Sequence, residues 1–225
     1  MSITIAPRSS GLPLDRRVRL AVWVGVLVLA LSVAVGLFIQ VQSRDPSPPE
    51  GIPRAIAIPA LYATMGLLAV IGALQRRPAI VVAAGLLCFV GAILSIATIE
   101  FVVPGIVLLG LGSGIGGRPG RRLREAAVAA VATVLVVSAG VALLSMTEGR
   151  CWEAAGSPAD PIYTVIPCGG ETAIPGEGST FASGFDSGDL TVRGGISEAV
   201  LLASALGLAT LTGRGRDAKR VAAAG

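Results

Sequence analysis

The sequence predicts an all-α integral membrane protein of six transmembrane helices, with both termini in the cytoplasm and one disulfide-tied extracytoplasmic loop between helices 5 and 6. The first observation behind this is composition. The chain of 225 residues is 53% hydrophobic and only 14% charged, with a mean hydropathy of +0.78, more apolar surface than a soluble domain can cover. The second is the recurrence of apolar runs at bilayer-crossing length, and the third is the clustering of arginines between alternate runs.

Residues 1–19 form a cytoplasmic tail carrying Arg8, Arg16, Arg17 and Arg19. A hydrocarbon core of roughly 30 Å takes about 20 apolar residues to cross as a helix, and residues 20–41, 55–74, 126–146 and 195–212 meet or approach that length. A signal-peptide reading of the first run has Arg16, Arg17 and Arg19 as its basic region and Ser32-Val33-Ala34 as a cleavage site. The apolar run continues to Val41, longer than such signals use, so a retained span is expected.

The run from Ala79 to Gly112 is too long for one crossing. As a single helix it would reach about 51 Å and need a tilt beyond the usual limit of roughly 40°. Two spans, 79–98 and 101–116, joined at an outer hairpin turn around Glu100, fit better. Pro104 then falls near the first turn of the returning helix, where its missing N–H costs little, and Val103 before it is biased away from helix. The fourth span, ending in Gly110, Gly112, Gly114 and Gly116, is the shortest.

Charge supports this count, because basic residues in short loops remain cytoplasmic. Six spans put Arg8, Arg16, Arg17, Arg19, Arg76, Arg77, Arg118, Arg121, Arg122, Arg124, Arg214, Arg216, Lys219 and Arg220 on one side, 14 of the 18 basic residues. Five spans would send the cluster at 118–124 outside and cancel much of the asymmetry. Lys219 is the sole lysine and histidine is absent. That usage fits a high-GC bacterial genome, so the expected location is the plasma membrane of a bacterium.

The proline-rich connector 42–54 is a stiff turn. The segment 147–194 is the one long loop. It holds Glu148, Glu153, Asp160, Glu171, Glu177, Asp186 and Asp189 against Arg150 and Arg193, so it is acidic. It also holds Cys151 and Cys168, which outside the cytoplasm are expected to form a disulfide; closing that loop is worth about 3 kcal/mol by chain entropy. Residues 162–166 and 190–193 have strand-like composition. Cys88, near the centre of the third span, reads as a small packing residue.

Chemistry has little to work with. Gly112-Ser113-Gly114-Ile115-Gly116-Gly117 matches the dinucleotide string, but it follows an apolar span rather than a strand and runs into Arg118-Pro119-Gly120. Ser113 has no histidine or nearby lysine as base, and no span contains an aspartate. Glu198 is expected in the first turn of the last helix, reaching the outer headgroups. No catalytic residue, cofactor, metal site or nucleic-acid partner is expected. The partners expected are the lipid bilayer, a membrane or extracytoplasmic protein, and a second copy of the chain. Gly195, Ala199, Ala203 and Gly207 form a small-residue stripe suited to close helix packing, inside the protomer or between copies, so that Ala203→Leu is expected to disturb assembly. The function expected is that of a non-catalytic interaction or accessory protein acting through its outer loop; the alternative is a permease or channel component.

Overall fold

The computed structural model describes residues 14–42, 53–94, 96–115, 122–157, 160–166 and 180–214. The helices are α1 (Leu14–Gln42), α2 (Arg54–Leu74), α3 (Pro78–Leu94), α4 (Val102–Gly114), α5 (Arg122–Ser145) and α6 (Val192–Arg214), with a 3-10 turn over Ile96–Phe101 between α3 and α4. Prolines mark three of the starts: Pro53 precedes α2 with an extended ψ of 136°, Pro78 opens α3, and Pro104 is the third residue of α4. In a first turn the absent N–H has no partner to lose.

Among the described residues, four helices are long and apolar enough to cross a membrane, over Arg16–Val41, Arg54–Leu74, Arg122–Ser145 and Val192–Leu211. The two helices expected at 79–98 and 101–116 are shorter than that, at 17 residues for α3 and 13 for α4. On one side α3 ends at Leu94 and the chain passes into the 3-10 turn, where Thr98 is non-helical at φ −130° and ψ 21°, so the α-helix stops before the expected end of the third span. On the other side glycine ends the helix. Ile115 is already extended, with ψ 113°, after the run containing Gly110, Gly112 and Gly114.

The ends of the helices gather in an alternating pattern. Gly25 of α1 meets Gly66 of α2, and Gly36 meets Pro59 and Ala55, so α1 and α2 are antiparallel and the start of α1 lies by the α2–α3 turn. Arg17 Nη1 donates to the Gly114 carbonyl at 2.8 Å, bringing the end of α4 to the same place. Arg77 Nη1 donates to the Ala209 carbonyl at 3.3 Å, bringing the end of α6 there too. The 3-10 turn and the strands that follow α5 therefore lie at the opposite end.

The α2–α3 turn is closed in Schellman fashion, with Arg77 N–H donating to Gly72 O at 2.8 Å and Arg76 N–H to Ala73 O at 3.0 Å. Arg76 occupies the left-handed position usually given to glycine, at φ 54°, a conformation that is unfavourable by about 1 kcal/mol for a side-chain-bearing residue.

Helices α1 and α2, α3 and α4, and α5 and α6 pack as hairpins, and α2 and α3 touch most of the rest. The core is built from small residues, with Ala21, Ala69, Ala73, Ala84, Ala139, Ala205 and Ala209 fully buried beside Val28, Val81, Leu68 and Leu108. Trp23, Val33, Leu37, Phe38 and Val41 on α1, and Val134 and Leu144 on α5, are exposed. This inversion, small inside and large outside, is the pattern of helices that associate by close backbone approach in lipid.

The segment between α5 and α6 adds a three-stranded antiparallel sheet to the helical body, with β1 (Thr147–Ser157) between β2 (Asp160–Ile166) and β3 (Thr180–Leu190). The strand-like composition at 162–166 corresponds to β2. The second strand-like stretch, 190–193, is not a strand: Leu190 ends β3, and Val192 and Arg193 already belong to α6. Cross-strand pairing with β1 over Thr147–Ala155, rather than composition, makes a strand of Thr180–Leu190.

Candidate functional site

The sheet is the one folded unit among the described residues outside the helices, and its base is fixed at several points. β1 follows α5 with only Met146 between them, and β3 leads into α6 across Thr191. Thr147 pairs with Leu190, and Thr191 N–H donates to Met146 O at 2.9 Å. Gly194 is pressed against Met146, where a Cβ would stand 2.8 Å from Met146 Cβ. Leu190, with 0% exposure, packs in one cluster with Ala57 of α2 and Leu143 of α5. The sheet thus continues the α5–α6 hairpin and is pinned to α2 by one leucine.

Leu190→Ala should loosen that pin. Truncation of a buried leucine costs about 2–5 kcal/mol, and here the loss falls at the junction rather than in the helix bundle. The expected outcome is faster limited proteolysis within 147–190 with the helical fragments intact; cleavage at the wild-type rate would show that Leu190 does not hold the sheet.

Cys151 lies in β1, its backbone paired with Ile166 of β2 on one side and Phe185 of β3 on the other. Cys168 lies outside the described residues, and so does the expected Cys151–Cys168 disulfide. Glu100 sits in the 3-10 turn joining α3 and α4 and is half-buried. Gly112 rests on Val82 of α3, while exposed Ser113 donates to the Gly110 carbonyl within its own helix at 2.9 Å. Cys88 is a free, buried thiol.

The small-residue stripe of α6 splits. Gly195 is buried, but Ala199 and Ala203 are exposed, and a Cβ on Gly207 would meet nothing within 4 Å. The inward stripe is instead Gly195, Glu198, Leu202, Ala205 and Ala209. A spacing of four drifts around a helix of 3.6 residues per turn, and the buried seam follows alternating steps of three and four. Ala203→Leu therefore leaves the folded protomer intact. Its expected result is unchanged thermal stability in detergent, and a loss of stability would place Ala203 inside.

Glu198 is not where composition places it. α6 starts at Val192, so Glu198 belongs to the second turn. Its side chain is only 3% exposed, turned into the bundle rather than toward headgroups, and its Oε1 has no hydrogen-bond partner.

Three further contacts give no strong sequence signal. Tyr62 of α2 is buried with its ring stacked on Phe101, centroids 4.2 Å apart and planes at 20°, and its hydroxyl donates to Thr98 Oγ1 at 2.8 Å. Gly91 of α3 leaves room for that hydroxyl, which a Cβ would approach to 3.1 Å. Arg17, readable only as one arginine of a basic tail, closes the end of α4. Arg77, readable as a loop charge, is 3% exposed and holds α6. Among the described residues, no group of three His, Cys, Asp or Glu comes together.

No protein-family model matches the chain, and no curated protein or solved structure matches it either.

Proposed function

We propose that the protein is a six-span, N-in and C-in protein of a bacterial plasma membrane that acts by interaction rather than catalysis, with the sheet between α5 and α6 as its contact surface. Six crossings are supported by the gathering of the α1 start, the α2–α3 turn, the α4 end and the α6 end at one pole. Those segments adjoin 14 of the 18 basic residues, as expected of a cytoplasmic face. The short α3 and α4 then cross as a tightly packed pair, where protein contact and local bilayer thinning accommodate the missing length.

The observation that carries the interaction reading is the anchored sheet. A unit continuous with two helices and pinned to a third presents a pre-organised surface, which lowers the entropic cost of binding. Its segment is acidic, with seven carboxylates against two arginines over residues 147–194, so a partner with a basic face is the complement. The same reading keeps Cys151, which pairs with Ile166 in the sheet, and Cys168 as a disulfide pair.

The test replaces residues 150–186 with a short Gly-Ser turn, leaving the Thr147–Leu190 rung in place, and compares crosslinked partners in the native membrane. The shortened protein is expected to insert normally and to lose the partners captured by the full chain. Retention of every partner would contradict the proposal.

A further inference from the structure

We propose that Glu198 is an intramembrane cation-binding carboxyl, with the proton as the cation it takes. Glu198 lies six residues, about 9 Å, beyond the start of α6, inside the apolar stretch Val192–Leu211. Its side chain is 97% buried by 3% exposure, and Oε1 accepts no hydrogen bond. A carboxylate with an empty acceptor in an apolar interior is electrostatically untenable, whereas the same carboxyl carrying a cation is not.

Among the described residues, the helices packed on α6 supply no charge to take that place. α6 packs on α5, α2 and β3. The Arg77–Ala209 bond joins residues 132 apart, and Ala57 and Leu190, members of one packed cluster, have nearly the same offset, so α2 and α6 run parallel in a fixed register. Glu198 is then level with the turn of α2 around Met65, whose neighbour Thr64 already donates its hydroxyl to Ala60 O at 2.9 Å. On α5, the Met146–Gly194 contact puts the antiparallel level near Ala142 and Leu143.

The ionisable groups on these elements stand elsewhere. Arg54 opens α2 about 16 Å from the Met65 level, and the Tyr62 hydroxyl is given to Thr98. Arg122, Arg124 and Glu125 begin α5 at its far end, and Arg193 on α6 is exposed. Asp186 and Asp189 of β3 are acidic and add no counter-ion. The site is independent of the sheet's role as a contact surface, since it lies within the helical body.

Binding transfers a proton from water to the Glu198 carboxylate and releases it again, with no other bond made or broken. Dicyclohexylcarbodiimide, a lipid-soluble reagent that attacks protonated carboxyls, is the probe, applied to the full chain in detergent with the modified residue located by mass spectrometry. Glu198 is expected to be labelled, at a rate falling about tenfold per pH unit above its titration midpoint, as single-site protonation requires. Glu198→Gln removes that label while Glu100 and Glu125 report on any general reactivity. Suppression by sodium but not by choline would assign the site to an alkali cation and overturn the proton.

A second measurement does not depend on reagent access. The infrared spectrum of the wild type minus Glu198→Gln is expected to show one protonated-carboxyl C=O band near neutral pH that shifts in deuterium oxide. Absence of the band, or a Glu198→Gln variant that melts well below the wild type, would mean a permanently ionised, paired carboxylate and overturn the proposal.

Discussion

Gly105→Leu is expected to separate α3 from α4 and to lower the melting temperature and folded yield in detergent. A Cβ at position 105 would stand 2.8 Å from Phe89 N, 3.0 Å from Gly85 O and 3.1 Å from Phe89 Cα. All three are backbone atoms, so no rotamer change relieves the overlap and α4 must move as a body. The reciprocal contact is as tight, with a Cβ at Gly85 falling 2.8 Å from Leu109 N and 2.9 Å from Gly105 O. Overpacking typically costs about 1–3 kcal/mol, and rigid backbone on both sides puts this site at or above the upper figure. Gly110→Leu is the control: it lies in the same helix, five residues on, with nothing within 4 Å of its Cβ, and is expected to behave as wild type. Equal stability of the two variants would show that α3 and α4 are not in backbone contact.

Tyr62→Ala is the second large effect. It removes the ring stacked on Phe101 and the hydroxyl donated to Thr98, both at the turn that joins α3 to α4. Aromatic truncation in a core costs about 3–5 kcal/mol. In lipid the transfer part of that figure shrinks, because the unfolded reference is also apolar, so the expected loss is about 3 kcal/mol. Tyr62→Phe keeps the stack and loses the hydroxyl, with an expected cost of about 1 kcal/mol. Thr98→Val should match it, and the double variant should cost less than the two single changes added together. Thermal melts in one detergent decide the order. A Tyr62→Phe loss as large as that of Tyr62→Ala would shift the weight from stacking to the hydrogen bond.

The helical body was legible because lipid-crossing helices need long apolar runs, and those runs can be counted. The start at Pro104 was equally visible, since proline marks a first turn through its own covalent geometry. What was not legible depends on which face meets which neighbour. Apart from Glu198, the residues near the α6 stripe are small or apolar, and a charge is expected to face outward, so the sequence offered no periodic contrast to separate the outward Ala199, Ala203 and Gly207 from the inward Glu198, Leu202 and Ala205. Nor did anything local distinguish Gly85 and Gly105, where backbones touch, from Gly110, which faces open space.

Glu198 and Arg77 reverse the usual rule that charges stay at the surface, and burial of this kind depends on tertiary packing alone. In the segment between α5 and α6, β2 announced itself by Ile162-Tyr163-Thr164-Val165-Ile166, whereas β3 is rich in glycine and serine and owes its strand form to β1. The count of crossings rested on Glu100 interrupting a run too long for one helix. The structure puts that residue in a short 3-10 turn between helices of 17 and 13 residues.

Six crossings make one demand above all, that Glu100 and Arg122 face opposite compartments. Single-cysteine proteins carrying Glu100→Cys or Arg122→Cys, with Cys88, Cys151 and Cys168 replaced, are treated in intact cells with a membrane-impermeant thiol reagent. Glu100→Cys is expected to react at once and Arg122→Cys only after lysis. Reaction of Glu100→Cys only after lysis, or of both residues from the same side, would contradict the six-span topology.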